Sequence, residues 1–435
     1  MHSADATDDV NVACISVELG GTRAVYRVGK IQLTKKPTPL PGAVTFGVEI
    51  EFCSERTREN LCEILSAEGI DCVTAGRLHD AKSAWKLTTD SSVQCSVSAN
   101  GCGRAIELVS PILQGERGIN SLKAVLAVVN TVRNTINKSM GLHVHIGVKD
   151  LSLEEKSKIC QQFIKFEEAF DQIVPRSRRS NENKFAESNA CNSSLQNISF
   201  ADKIQKLGRV RSFGELCALM NPNECRYFKL NLQAFKRHGT FEFRQHSGTT
   251  NFLKMSYWIR LLTLFCYHSK VLPAPEAFST DTPHEKLNLM FTKVVKDGAL
   301  KEYFTARAAE LKRAAELNNS RHREIKRVQD YFEHKTKFQA LKEMCDNLIP
   351  YASKVGIPPP VESLSSITQC KKYLEKIYLN IFDYVDEEYK KNPELIKTNR
   401  KDLLKRCILK KRGFFPKKEA KGSTLKSLLK VLSFV

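Results

Sequence analysis

The sequence predicts an α+β protein: a β-sheet flanked by helices, followed by a mostly helical, Lys-rich C-terminal region. Three observations predict it. First, three short apolar segments carry strong polar residues spaced i, i+2, the period of a strand with one polar and one core face. They are Phe46–Phe52 with Glu49 and Glu51, Gly141–Gly147 with His143 and His145, and Thr240–His246 with Glu242, Arg244 and His246. Second, the segments between them repeat apolar residues at helical spacing. Third, beyond Pro273-Ala-Pro275 the chain has no strong strand pattern until its end.

Composition bounds the class. At 435 residues the chain is long enough for more than one domain. Lys+Arg 68 against Asp+Glu 48 gives a net charge of +20, which favours anionic partners: nucleotides, acidic substrates, nucleic acid or a membrane surface. Met1–Val10 is polar and acidic with no apolar core, so no secretory signal is read. No stretch reaches the roughly 18 apolar residues of a spanning helix. The fourteen cysteines form no CxxC, which argues against a zinc cluster and reads as reduced thiols, mostly core filler. These features predict a cytoplasmic protein, with a nuclear location open from the basic clusters near the C-terminus.

Taken in order, residues 1–41 form a leader. Val12–Glu18 and Ala24–Ile31 read as two strands around Gly20-Gly21, and the proline-bearing Lys35–Pro41 marks a boundary. Residues 42–275 form the main domain. After the first polar strand, Thr57–Glu68 reads as a helix with Thr57 as N-cap and Gly69 as its stop. Ala84–Ser98 reads as strands around a turn at Asp90-Ser91-Ser92, and Ala105–Val109 as a strand holding Glu107. A long amphipathic helix is expected over Ile119–Asn137, through Val132 and Ile136. Ser152-Leu-Glu-Glu155 is a capping box that opens another helix. Pro175–Ser194 reads as a loop or lid, Arg226–Leu232 and His238–His246 as a hairpin-like pair around Gly239, and 253–268 as a buried helix containing Trp258.

Residues 276–435 form the helical C-terminal region. It ends in Lys405-Arg406, Lys410-Lys411-Arg412 and Lys417-Lys418. A final segment then aligns Leu425, Leu428, Leu429 and Leu432 on one face. Such a basic amphipathic helix suits a membrane surface, nucleic acid or a protein partner, although docking on its own protein is the commoner use.

The polar face carries the chemistry. Glu49, Glu51, Glu107 and Glu242 are hard oxygen donors suited to Mg²⁺ or Mn²⁺. His143 and His145 add imidazoles, one of them a candidate phosphate contact. Arg226 and Arg244 offer bidentate forks for carboxylate or phosphate. Buried carboxylate and imidazole pairs are costly without a compensator, and a divalent cation with an anionic ligand is an economical one. Carboxylates with arginines form the kit for phosphoryl transfer. No GxxxxGK[ST] occurs, which excludes a Walker-type nucleotide loop.

Six motifs in order carry a resemblance. They are Gly47–Phe52, Trp85 with Asp90 and Ser92, Glu107–Pro111, Gly141–Ile146, Arg226-Tyr227 with Asn231, and Thr240–Thr249. Together they resemble the amidoligase family over about residues 42–270. These carboxylate–amine ligases are similar to glutamine synthetase and γ-glutamylcysteine ligase. The resemblance implies a glutamine-synthetase-like fold, a curved and largely antiparallel sheet whose concave face holds ATP and two divalent metals. It implies an acyl phosphate formed from a substrate carboxylate and ATP, then displaced by an amine to give an amide. It assigns metal binding to Glu49, Glu51, Glu107, His143 and Glu242. Cofactor contacts go to His145, Arg244, Asn231 and His246. Catalytic roles go to Arg244, Arg226, His143 and Asp90, where Asp90 either orients the amine or caps a turn. The expected substrates are a carboxylate and an amine on a small molecule, peptide or protein. A metal-dependent amidohydrolase or phosphatase with the same ligands, or a degenerate binding protein, are the competing readings.

Overall fold

The computed structural model describes residues 33–74, 83–95, 103–179, 183–278, 282–361, 363–398 and 402–403, and backbone alone at 14–19, 22–27, 97–98 and 101–102. The chain divides into two compact units. The first runs to Leu311, past the change of character at Pro273–Pro275. The second joins residues from Lys312 onward with the hairpin near the N-terminus. In that hairpin β1 (Cys14–Leu19) and β2 (Thr22–Arg27) pair antiparallel, where the sequence led to two strands over Val12–Glu18 and Ala24–Ile31.

In the first unit, β3 (Thr45–Ser54) is the central strand. Helix α1 (Arg58–Ala67) follows, its N-cap Thr57 accepting the Asn60 N–H and its exit turned by Gly69 at φ +76°. Next come β4 (Cys72–Thr74), β5 (Trp85–Thr88), the short pair β6 (Val97–Ser98) and β7 (Gly101–Cys102), β8 (Arg104–Val109) and β9 (Leu113–Gln114). Helix α2 (Gly115–Val129), β10 (Asn134–Thr135) and β11 (Gly141–Gly147) follow. Helix α3 (Leu153–Gln172) opens on Ser152 and Glu155, with both hydrogen bonds of the capping box formed. Beyond it lie α4 (Phe200–Gly208), α5 (Phe213–Met220), β12 (Leu230–Asn231), α6 (Ala234–His238), β13 (Thr240–Ser247) and α7 (Phe252–Ser269).

The main sheet has the order β12-β13-β11-β3-β8-β5-β4, with β9 and β10 also pairing β3. It is antiparallel except for β4 with β5. The architecture is therefore α+β, an open and mostly antiparallel sheet flanked by helices. Strict alternation along the strands builds its core. Phe46, Val48, Ile50 and Phe52 of β3, Ile106 and Leu108 of β8, and Leu142, Val144 and Ile146 of β11 are at most 2% exposed. So are Phe241 and Phe243 of β13. Each fully buried side chain of this size contributes roughly 1.5–3 kcal/mol. Helices α2, α3 and α7 share this core: Phe163 of α3 packs edge-on to Phe243, and Gly118 of α2 sits tight over Phe46. The opposite face of the sheet is left to the polar residues.

Three expectations change. The helix expected over Ile119–Asn137 spans Gly115–Val129, ending at the C-cap Asn130. The Asn- and Thr-rich stretch beyond it is poor helix material, and Asn134-Thr135 pairs instead with Ser54 and Cys53 of β3. The hairpin around Gly239 reduces to the two residues of β12, followed by α6, which Gly239 ends at φ +69°. The described residues of Pro175–Ser194 hold one turn at Arg176–Arg178 and a single bridge from Glu187 to Phe228, and they are packed rather than free. Asn189 and Asn192 are buried, their side-chain amides donating to the carbonyls of Leu230, Leu219 and Met220.

The cysteines also need a correction. Cys53 and Cys95 form a disulfide with a Cα separation of 5.8 Å, so not all are free thiols. Cys72, Cys160, Cys217, Cys266, Cys345 and Cys370 are buried and free, as core filler.

The rest of the first unit is helical: α8 (Pro283–Leu289) and the opening turns of α9 (Gly298–Phe332). In the second unit the end of α9 packs with α10 (Lys337–Ala352), α11 (Ile367–Leu374) and α12 (Ile381–Val385), followed by α13 (Glu388–Lys391). Its core is Val328, Phe332, Leu341, Leu348, Leu374 and Phe382. The basic amphipathic segment at 424–435 lies outside the described residues. Among the described residues, no helix is long and apolar enough to cross a membrane.

Candidate active site

Register brings the polar residues together. Glu51 of β3 lies directly opposite Glu107 of β8, and Glu49 lies opposite His143 of β11. His145 of β11 is opposite Glu242 of β13, and Glu242 is opposite Asn231 of β12. Directly paired side chains stand about 4.5–5.5 Å apart at Cβ, so five strands deliver one continuous row of polar side chains across the sheet. Asp90 joins it from the turn after β5. Its carboxylate accepts the Ser92 N–H at 2.6 Å, so it does cap a turn, and it also faces the cluster.

Two groups of possible metal ligands result. Donor atoms of Glu49, His143 and Glu242 lie within 4.8 Å of one another, and so do those of Glu51, Asp90 and Glu107. His143 joins the groups: its Nδ1 is 3.0 Å from Glu49 Oε2 and 3.5 Å from Glu242 Oε1, and its Nε2 is 3.8 Å from Glu51 Oε1. The three-carboxylate group is all oxygen, which suits Mg²⁺ or Mn²⁺; the other adds one imidazole to two carboxylates. Both groups fit a hard divalent cation.

The electrostatics of this face are those of crowded carboxylates. Burial, followed by the charges of Glu49, Asp90, Glu51 and Glu242, pushes the Glu107 carboxyl up to about 8. Burial also raises Glu51, against the favourable pull of His143 and the Gly141 N–H, which Glu51 Oε2 accepts at 2.7 Å. At Glu49 burial opposes the charge, yet hydrogen bonds from His143 and His145 outweigh it and hold the carboxyl well below the usual range. Five carboxylates crowd one half-buried face, and the one with no basic partner takes up a proton.

The remaining expected residues have distinct places. His145 Nε2 donates to Glu49 Oε1 at 3.2 Å, while its Nδ1 meets Thr240 Oγ1 at 2.9 Å. Burial opposes its positive charge, but Glu49 and Glu242 raise its pKa overall. It therefore stands behind Glu49 and orients it. Asn231 is 2% exposed and donates its amide to Glu242 Oε2 at 2.6 Å, so it orients a candidate metal ligand. Arg244 is buried, its Nη1 against Glu242 Oε1 and its Nε 3.4 Å from the Phe185 carbonyl. Arg226 is exposed at the rim. Tyr227, whose ring lies 5.3 Å from the guanidinium, raises its pKa against the effect of burial, with Glu242 and Asp90 adding to the rise.

His246 is corrected. A bulge interrupts the pairing of β13 with β11 between Leu142 and Val144, so Arg244 and Gln245 together oppose His143. The i, i+2, i+4 face therefore breaks after Arg244. His246 is half-buried and turns toward Trp258, its ring 5.0 Å away, and its Nδ1 donates to the Ser247 carbonyl at 2.7 Å. Burial pushes its pKa down to about 3, which keeps the ring neutral.

The structure adds Arg178, which sequence reasoning missed. It is 4% exposed, and its Nη2 donates to the Met140 and Lys138 carbonyls. Burial lowers its pKa, Glu51 counteracts, and Arg244 lowers it further, so it is close to both. Among the described residues no carboxylate stands within 4 Å of it, although it borders a carboxylate cluster. Arg176, Arg178 and Arg179 look alike in a polar run, and only the turn at 176–178 selects the one that points inward.

No curated protein and no solved structure matches the chain. A family model described as "Putative amidoligase enzyme" matches residues 43–266, just over half of the chain. Those residues include every strand and loop that delivers the donor row, from Glu49 to Arg244. The chain belongs to the amidoligase family.

Proposed function

We propose that this amide ligase is ATP- and Mg²⁺-dependent (or uses Mn²⁺) and joins a substrate carboxylate to an amine through an acyl phosphate. The family implies a ligase; the observation that carries the finer reading is the pair of ligand triads flanked by two buried guanidiniums, Arg178 and Arg244. We extend it to a glutamine-synthetase-like sheet, with substrates drawn from amino acids, peptides or protein side chains.

Divalent cations, when bound, neutralise and align the phosphates of ATP. Glu51, Asp90 and Glu107 would hold one of them and Glu49, His143 and Glu242 the other. A substrate carboxylate oxygen attacks the γ-phosphorus, the bond to the β–γ bridging oxygen breaks, and ADP departs. Arg244, aimed across Glu242, stabilises charge on the phosphoryl oxygens as they redistribute. Arg178 feels the charge of Glu51 without pairing to it, and would bind an anionic group without displacing a ligand. The amine then attacks the acyl carbon, the carbon–oxygen bond to phosphate breaks, and an amide and phosphate leave. Arg226 at the rim recruits the acidic substrate, in keeping with the net charge of +20.

A degenerate binding role sits poorly with two complete triads. Simple hydrolysis leaves two buried arginines unexplained. The test is ATP turnover against a panel of amino acids and peptides, with mass spectrometry of the products. A condensation product smaller than its two parts by one water, formed only with ATP, is expected. Amine release from an amide without nucleotide would instead establish the hydrolase.

A further inference from the structure

Lys229 is fully buried, with 0% exposure, just before β12. Its ammonium lies 2.9 Å from Glu167 Oε1 and 2.8 Å from Asp171 Oδ1, both on α3, the helix packed on the apolar side of the sheet. Burial works against its charge, but Glu167 and Asp171 outweigh that and raise its pKa. Buried ion networks add little net stability, yet they fix geometry where a position must be unique.

The bonds of this network converge on one residue. The Lys229 carbonyl accepts the Arg244 N–H at 2.9 Å. Asp171 Oδ1 also accepts the side-chain amide of Gln245, the second residue of the bulge. Glu167 Oε2 accepts the Ala190 N–H at 2.8 Å, and the Glu187 carbonyl accepts the Lys229 N–H at 2.9 Å. These bonds anchor the loop whose Phe185 carbonyl receives Arg244 Nε. The backbone of Arg244, its next neighbour and its side-chain acceptor are thus all tied to one buried triad. Without the bulge, alternation would continue and His246 would follow Glu242 and Arg244 onto the same face instead of turning toward Trp258.

We propose that Lys229, with Glu167 and Asp171, is a positioning residue for Arg244: it locks the β13 bulge and the 185–190 loop so that the guanidinium is aimed into the ligand row. The kinetic part rests on the ligase reading; the structural part does not.

The test uses the full chain and two readouts. In hydrogen–deuterium exchange, Lys229→Met should speed exchange at 183–190 and 240–248 while β3 and β11 keep their protection. In the ligation assay, Lys229→Met should lower kcat about tenfold or more, with KM for ATP within about twofold, because orientation rather than ground-state binding is lost. In an Arg244→Lys background the same substitution should change kcat by less than about twofold, since both lesions act through one guanidinium. Asp171→Asn keeps the Lys229–Glu167 pair and replaces Lys229→Met if that variant does not fold. Uniformly faster exchange across the sheet, or an equal kcat loss in both backgrounds, would overturn the proposal. A protein with no ligase activity but with the localised exchange pattern overturns the function and leaves the positioning role standing.

Discussion

Glu107 makes the metal-free protein sensitive to alkali. Its carboxyl rises from an ordinary 4.5 to about 8 in the folded chain. The folded state therefore holds a proton that the unfolded state has released, and its stabilising effect is complete below the unfolded pKa and lost as pH rises through about 8. The rise corresponds to at most about 5 kcal/mol. Solvent screening at this half-buried position reduces it to about 2 kcal/mol, or roughly 4–8 °C in Tm for a unit of this size. The perturbation is Glu107→Gln, which keeps shape and removes both charge and titration. With chelator present, wild-type Tm should fall from about pH 4.5 to about pH 8 and level off above it, and the variant should lack this fall and exceed wild type above about pH 8. Mn²⁺ should raise wild-type Tm, more at the alkaline end, because the ligand must lose its proton to bind. The variant should lose most of that gain. Parallel pH profiles for wild type and Glu107→Gln, with the same response to Mn²⁺, would refute the reasoning.

Other outcomes follow from the same geometry. Glu51→Ala should abolish one of two Mn²⁺ equivalents seen by calorimetry while circular dichroism stays native, since it removes a ligand and little core volume. Arg178→Met should cut turnover by about 10²-fold or more with Mn²⁺ binding retained, the loss expected for one preorganised donor. His246→Phe should keep kcat within about twofold of wild type, because the ring packs on Trp258 and shape matters more than its nitrogens. Gly118→Ala would place a Cβ 2.8 Å from Leu113 Cβ and 2.9 Å from Phe46 Cζ, and should lower stability by about 1–3 kcal/mol in thermal denaturation.

What the sequence made legible was periodic. The i, i+2 pairs specified which residues share a face, and the structure joins Glu49, Glu51, Glu107, His143, Glu242 and Arg244 across neighbouring strands. The caps at Thr57 and Ser152 were readable because their partners lie three residues away. What stayed hidden depends on pairing across long separations. The bulge that turns His246 inward follows from how Arg244 and Gln245 meet His143, and strand alternation alone does not encode it. The shortened α2 reflects β10 pairing with β3, a tertiary override of a plausible helical pattern. Arg178 and Lys229 carry no local pattern that sets them apart from other basic residues; burial and partners identify them. The Cys53–Cys95 bond joins positions 42 apart, which spacing does not specify.

The central claim is that phosphate leaves with an oxygen that began in the substrate acid. The most direct measurement supplies the full chain with ATP, Mg²⁺, an amine mixture, and amino acids and peptides carrying ¹⁸O in their carboxylates, and weighs the released phosphate. An acyl-phosphate ligase transfers one ¹⁸O to phosphate for each amide formed, and omitting either acid or amine suppresses amide. Phosphate carrying oxygen only from water, or amide chemistry that proceeds without ATP, would contradict the account.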